Sequence, residues 1–196
     1  MSAGMVDALL FGSLTGLAML ATAGVGLILW ARAVEARALF AAAELSEMEA
    51  ERARLALEAV SEHEAWLEDP GAGNIRETAK TALEMARAMP GDADQTEKAI
   101  RTFLDLDQAV KDLRDISGRD PTERGDHRAG RSAIMARIDA VSDALFFMRD
   151  AYDARALAFN ALLFLPGMDV VSWIGGLDVY PLIGSERLSD SSETID

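Results

Sequence analysis

Thirty-three carboxylates and two histidines are the side chains of this 196-residue sequence best suited to metal or acid–base chemistry. A helical bundle builds a di-metal centre when glutamates project inward and Glu-x-x-His pairs sit on facing helices. Here the residue three before His63 is Val60, and the residue three before His127 is Arg124, so neither histidine belongs to such a pair. His63, between Glu62 and Glu64, and His127, in a segment rich in glycine and charge, both read as solvated. No P-loop, Gly-x-Ser-x-Gly, His-Glu-x-x-His or dinucleotide fingerprint occurs. Gly71, Gly73 and Gly91 belong to turn clusters and lack the preceding strand that a phosphate loop requires. The sequence contains no cysteine, which removes disulfides, zinc fingers and iron–sulfur clusters. These residues assign no catalytic, metal or cofactor position and favour a non-enzymatic protein. The rival reading is an accessory sensor or enzyme whose carboxylate-rich bundle binds a metal or small ligand.

The elements around these side chains begin with Ala8 to Trp30, where no charged residue interrupts the chain between Asp7 and Arg32. At about 1.5 Å per residue a helix over this run is roughly 35 Å long, enough to cross a hydrocarbon core of about 30 Å. A cleaved signal peptide is the competing reading, with Ala21 to Gly24 as the cleavage region. Against it, Met1 to Asp7 carries no basic residue and the apolar run continues past Gly24 to Trp30. Within the run, Gly12 and Gly16 form a Gly-x-x-x-Gly step, followed by Gly24 and Gly26. Such small residues let helices approach closely in lipid, so the step predicts self-association or docking to another span. Arg32 and Arg37 follow the span, which places the remainder in the cytoplasm by the positive-inside rule. The formal net charge of −14 lies almost wholly after the span; it disfavours nucleic acid and suits basic partners or plain solubility.

The remainder reads as helix, in keeping with only 6% aromatic residues and abundant alanine and leucine. From Ala31 to Leu67 no proline or glycine intervenes. Val34, Ala38, Ala41, Leu45, Met48, Leu55, Ala59 and Trp66 form a stripe broken by Arg52 and Glu62, so one helix continues from the span to about Leu67. Glu49 with Arg52, Glu51 with Arg54 and Arg54 with Glu58 are expected on its outer faces. Asp69 to Gly73 reads as a turn, with Asn74 capping a second helix over Ile75 to Met89. Pro90-Gly91-Asp92 ends it, and Asp94 with Glu97 resembles a capping box that opens a third helix through Ile116. Ser117 to Arg131 reads as a mobile loop, and Ser132 starts a fourth helix to about Leu165. The expected fold is all-α: a single transmembrane helix (1–31) continuous with the first helix of an elongated antiparallel four-helix bundle (32–165). An apolar segment (166–183) then packs on the bundle or lies at the membrane with Trp173 and Tyr180 at headgroup level, packing being favoured. A polar, acidic, disordered tail (184–196) closes the chain.

The segment Ser142 to Leu177, SDALFFMRDAYDARALAFNALLFLPGMDVVSWIGGL, resembles the closing signature of the LemA family. There a long last helix carries R-x-x-Y-N-x-x-V-x-x-Y-N, followed by proline and an apolar stretch with a glycine and an aromatic residue near its end. The matching positions are Arg149, Tyr152, Asp153 in place of Asn, Ala156 in place of Val, Phe159 in place of Tyr, Asn160, Pro166 and Gly176. The chain departs from the family at Leu55 to Glu64, where a basic pair and an Asp-Leu-Ile-Pro-Asn-Leu-like run are usual, so the resemblance is to a divergent member. It implies a single-pass protein of the bacterial inner membrane whose helical domain is cytoplasmic, without an established catalytic activity; no cofactor is expected. It further implies scaffolding or membrane organisation but names no partner; a homo-oligomer or other membrane proteins as partners is the expectation from Gly12 and Gly16. By their own spacing, Tyr152, Ala156 and Phe159 share a helix face and read as core. Arg149 requires a carboxylate partner if buried, and Asn160 is placed to hydrogen-bond the chain as it leaves the helix.

Overall fold

The computed structural model describes residues 3–61, 70–89, 93–119 and 126–184. These residues form five helices and no strand: α1 (Ala3–Ser61), α2 (Pro70–Ala88), α3 (Ala93–Arg119), α4 (Asp126–Leu163) and α5 (Met168–Gly175). In α1, 59 residues run without a break, because neither proline nor glycine occurs after Gly26 and nothing removes an i to i−4 hydrogen bond. Residues 62–67, the expected end of that helix, lie outside the described residues.

The amino-terminal part of α1 is long and apolar enough to cross a membrane. Its Leu14, Leu17, Met19, Leu20, Val25 and Leu29 are exposed, whereas a soluble core helix would bury such side chains. From Ala31 onward the same helix is covered. Ala38, Ala41, Ala42, Leu45, Ala53, Leu55, Ala56 and Ala59 are all buried. This face is wider than one stripe because α2 packs on one flank and α4 on the other, and the alanines let both backbones come close. α1 and α4 run antiparallel: Glu44 faces Arg155, Glu49 faces Arg149 and Glu58 faces Arg137. α3 packs chiefly on α2, and among the described residues its backbone hardly approaches α4. Side chains bridge that side instead, with Arg114 Nε donating to Asp139 at 2.9 Å and Arg149 to Asp107 at 2.6 Å.

Several helix ends differ from those expected. α2 starts at Pro70, so the expected turn is its first turn and Asn74 lies inside the helix. A proline at the first helical position gives up only an N–H that has no helical partner, and Ala72 is buried there. Asp94 is already within the first turn of α3. It accepts from Lys98 at 2.6 Å, and Glu97 pairs with Arg101, so these acids form i,i+4 ion pairs and no capping box. The expected loop at 117–131 is mostly helix: α3 continues to Arg119 and α4 begins at Asp126. A glycine inside a helix costs only about 1 kcal/mol, which leaves Gly118 and Gly130 compatible with it. Residues 120–125 lie outside the described residues, as does 185–196 of the expected tail.

After Leu163 the chain turns through Leu165 N–H to Leu162 O (3.1 Å) and Met168 N–H to Leu165 O (3.0 Å), with Gly167 at φ +85°. α5 then departs at 112° to α4, near perpendicular. Gly176, at φ +58°, ends α5 with its N–H on Ser172 O. Both positions are left-handed, where a side chain would strain the backbone. Residues 177–184 form a strap held along α4.

Candidate functional site

Two polar constellations are built into the packed part of the chain. The first joins three helices. α1 supplies Glu49 and Arg52, three apart and therefore on one face; α3 supplies Asp107 and α4 supplies Arg149. Glu49 is 0%, Arg52 3% and Arg149 7% exposed. Arg52 donates to Glu49 at 2.6 Å, to the Phe103 carbonyl at 3.3 Å and to Asp107. Arg149 donates to Asp107 Oδ2 at 2.6 Å and Oδ1 at 3.1 Å, and to Glu49 through Nε at 3.2 Å and through Nη2. Two carboxylates thus meet two guanidinium groups, and the cluster is charge-balanced.

Burial, the strongest influence on Glu49, raises its carboxyl above the ordinary value against the pull of Arg52 and Arg149. Burial also acts on Asp107, but there Arg149 and Arg52 prevail and the carboxyl is lowered from 3.8. For Arg149 the two carboxylates outweigh burial and raise the guanidinium further above its ordinary value. No group of three or more metal-ligating His, Cys, Asp or Glu is found among the described residues. The cluster opens on a groove of about 500 Å³ between α3 and α4, lined by Arg52, Leu104, Asp107, Lys111, Arg114 and Ser142. Arg52 Nε and Ser142 Oγ are buried there without a hydrogen-bond partner.

The second constellation is the signature of α4 acting on the strap. Asn160 makes a paired contact with the Tyr180 backbone: Nδ2 donates to Tyr180 O at 2.7 Å and Oδ1 accepts from Tyr180 N at 2.9 Å. Tyr152 donates its hydroxyl to Pro181 O at 2.9 Å. Asp153 accepts from Ile183 N at 2.8 Å and Gly184 N at 3.0 Å, one amide on each carboxylate oxygen. An asparagine there would point an NH₂ at one of those amides, which gives the aspartate at this position a physical reason. Phe159 meets the Tyr180 ring edge-on, with centroids 5.6 Å apart. Burial and the nearby Glu35 push the Tyr180 hydroxyl up to about 12. Pro166 stands in the turn after α4, and Gly176 ends α5.

The signature residues therefore divide between two tasks, Arg149 in the ion cluster and Tyr152, Asp153, Phe159 and Asn160 at the strap. Asn160 reaches a residue twenty positions on rather than the exit of its own helix. Glu49 with Arg52, expected on an outer face, is buried; Arg52 interrupts the apolar stripe because the stripe passes through the cluster. That interruption was the available signal, whereas nothing in the spacing of α3 marks Asp107 as its partner. A Cβ at Gly16 would meet nothing within 4 Å, so none of the described residues covers this half of the Gly-x-x-x-Gly step. Gly12 lies in α1, and its surroundings fall outside the described side chains, as do those of His63 and His127.

Removing one charge from the cluster leaves another buried and unmatched, at a cost of about 3–5 kcal/mol. Arg149→Met is expected to lose that much in urea unfolding of the micelle-solubilised protein, and Arg149→Met with Glu49→Leu to recover most of it. The lowered pKa of Asp107 gives stability that is present above its unfolded value and lost as pH falls through the folded one. Asp107→Asn should therefore flatten the loss of stability below about pH 4. Glu49, with a raised pKa, acts in the opposite sense and in a higher window: its contribution grows as pH falls from the folded pKa through the ordinary value of 4.5, so Glu49→Gln should remove that gain above about pH 4.5. At the strap, Asp153→Ala should speed amide exchange at Ile183 and Gly184 while leaving the amides of α1 unchanged. Equal exchange in variant and parent would contradict the clamp.

The chain matches no protein-family model, no curated protein and no solved structure.

Proposed function

We propose that this chain is a membrane-anchored, non-catalytic helical scaffold, a divergent member of the LemA family that organises a membrane or assembles a complex on it. The observation that carries the reading is α1 itself: one unbroken helix is exposed and apolar at its start and packed on two sides from Ala31 onward. Such a helix ties any contact made by the rod to a fixed place on the membrane. The helices behind it act as an elongated four-helix bundle in which the ion pairs Arg114–Asp139 and Arg149–Asp107 join α3 and α4. The family reading rests on the sequence pattern at Arg149, Tyr152, Phe159, Asn160, Pro166 and Gly176. The bacterial inner membrane and a cytoplasmic rod follow from that family reading together with Arg32 and Arg37.

Association through the span is the testable core of this function. A Cβ added at Gly16 meets none of the described atoms within 4 Å. Any effect of Gly12→Leu with Gly16→Leu on assembly then reports on contacts between molecules. Cross-linking in native membranes should show oligomers in the parent and their loss in the double variant. A protein that is monomeric in both would remove assembly through the span.

A second reading, that the bundle senses a small ligand, is favoured by the groove at Arg52. The inward carboxylates are already matched by arginines, which turns the expected ligand from a cation into a small anion. Lys111 and Arg114, the latter already paired with Asp139, line that groove. Inorganic phosphate should then raise the melting temperature over chloride at equal ionic strength, and Lys111→Ala should abolish the rise. No rise, or the same rise in the variant, removes this reading.

A further inference from the structure

We propose that α5 with its flanking turn is an interfacial foot, lying in the boundary between headgroups and acyl chains of the bilayer that α1 enters. The inference rests on α1 spanning that bilayer.

Height comes first. The packed core does not stop where the apolar run of α1 stops: Ala31 is completely buried, and Ile28, still within the run, packs against the core. About 20 helical residues suffice for the hydrocarbon thickness, so a run from Ala8 to Trp30 brings its last turn to the boundary. α5 is fixed at that height because Arg32, bonded to Glu35 at 2.6 Å, also donates to the Gly175 carbonyl at the end of α5. The near end of the bundle therefore touches the boundary.

Orientation and surface follow. α4 runs antiparallel to α1, and α5 turns 112° from α4, so a bundle standing upright on its span lays α5 close to the membrane plane. Met168 and Val171 face the core, while Val170, Trp173 and Ile174 project away from it. Trp173 is 83% exposed and Phe164, just before the turn, 79%. In water this cluster of large apolar side chains would be costly. α5 packs against α1 and is tied to it by Arg32, two residues beyond the exposed Leu29 and Trp30 region of the apolar run, and this attachment to the lipid-suited end of α1 makes lipid its occupant. Tryptophan at the boundary and an apolar face buried about 5–10 Å are the usual form of such contacts. The charges borne by the foot and strap are Asp169 and Asp178, and Arg32 is already engaged. Insertion is accordingly apolar and does not require anionic lipid. With α1 and α5 both in the bilayer, the rod has two attachments and a set tilt.

The absence of native cysteine permits single-cysteine nitroxide labelling of the full chain in phosphatidylcholine vesicles. Labels at Leu20, Val170, Trp173, Ile174 and, as a water reference, the exposed Asp143 would be compared for collision with oxygen and with a water-soluble nickel complex. Expected are a deep label at Leu20, oxygen-dominated labels at Trp173 and Ile174 near headgroup depth, and a nickel-dominated label at Asp143. Nickel access at Trp173 and Ile174 equal to that at Asp143, with Leu20 still deep, overturns the foot and leaves the span intact. Nickel access at Leu20 as well overturns the span and the foot together. Shielding of Trp173 from both reagents, with spin–spin broadening that grows with protein density, replaces lipid by a second copy and also overturns the proposal.

Discussion

An α-helix that runs from a long apolar stretch into a packed domain without a break ties the two together with no hinge between them, and α1 imposes this constraint on everything else in the molecule. Its continuity comes from what is missing after Gly26, since neither proline nor glycine offers a hinge before Ser61. The consequences for packing are direct. α2 and α4 both pack along it, and the many alanines it presents are what two close neighbours require. α3 is left to pack mainly on α2, with an open side toward α4.

The ion cluster answers that open side. Glu49 and Arg52 project from α1 toward the place where an apolar layer between α3 and α4 would otherwise be needed, and Asp107 and Arg149 meet them there. Replacing such a buried, matched set by apolar residues of similar volume is often neutral or stabilising, so its contribution is better read as register than as net stability. Four side chains with fixed hydrogen-bond directions specify how α1, α3 and α4 align along their axes, which alanine-rich faces leave poorly defined. The strap plays the same part from the next turn of α4 to its end: Tyr152, Asp153 and Asn160 bind backbone rather than side chains and so fix where residues 180–184 run.

The long-range design was legible in sequence wherever it depended on periodicity. The run Ala8 to Trp30, the uninterrupted continuation through Ala31, and the buried face of α4 at Ile138, Leu145, Tyr152 and Phe159 all follow from spacing. Helix ends were less legible, because Pro70, Gly118 and Gly130 carry local turn propensity that a long helix with a packed face overrides. The cluster was half visible. Arg149 asks for an acid by its place beside Tyr152, and Arg52 interrupts an apolar stripe, yet pairing across helices depends on rotations that no single-helix pattern contains. The strap was least visible, since the acceptors for Tyr152 and Asn160 are backbone groups, which are the same in every sequence.

The claim on which the functional account stands is that α1 is one rigid element from inside the bilayer to the middle of the rod. Double electron–electron resonance between nitroxides at Leu20 and Glu47, both exposed and 27 residues apart, measures it directly in vesicles. A continuous helix predicts a narrow distribution corresponding to about 40 Å along the axis. A broad distribution, or a maximum well short of that separation, would show a hinge at the membrane boundary and contradict the account.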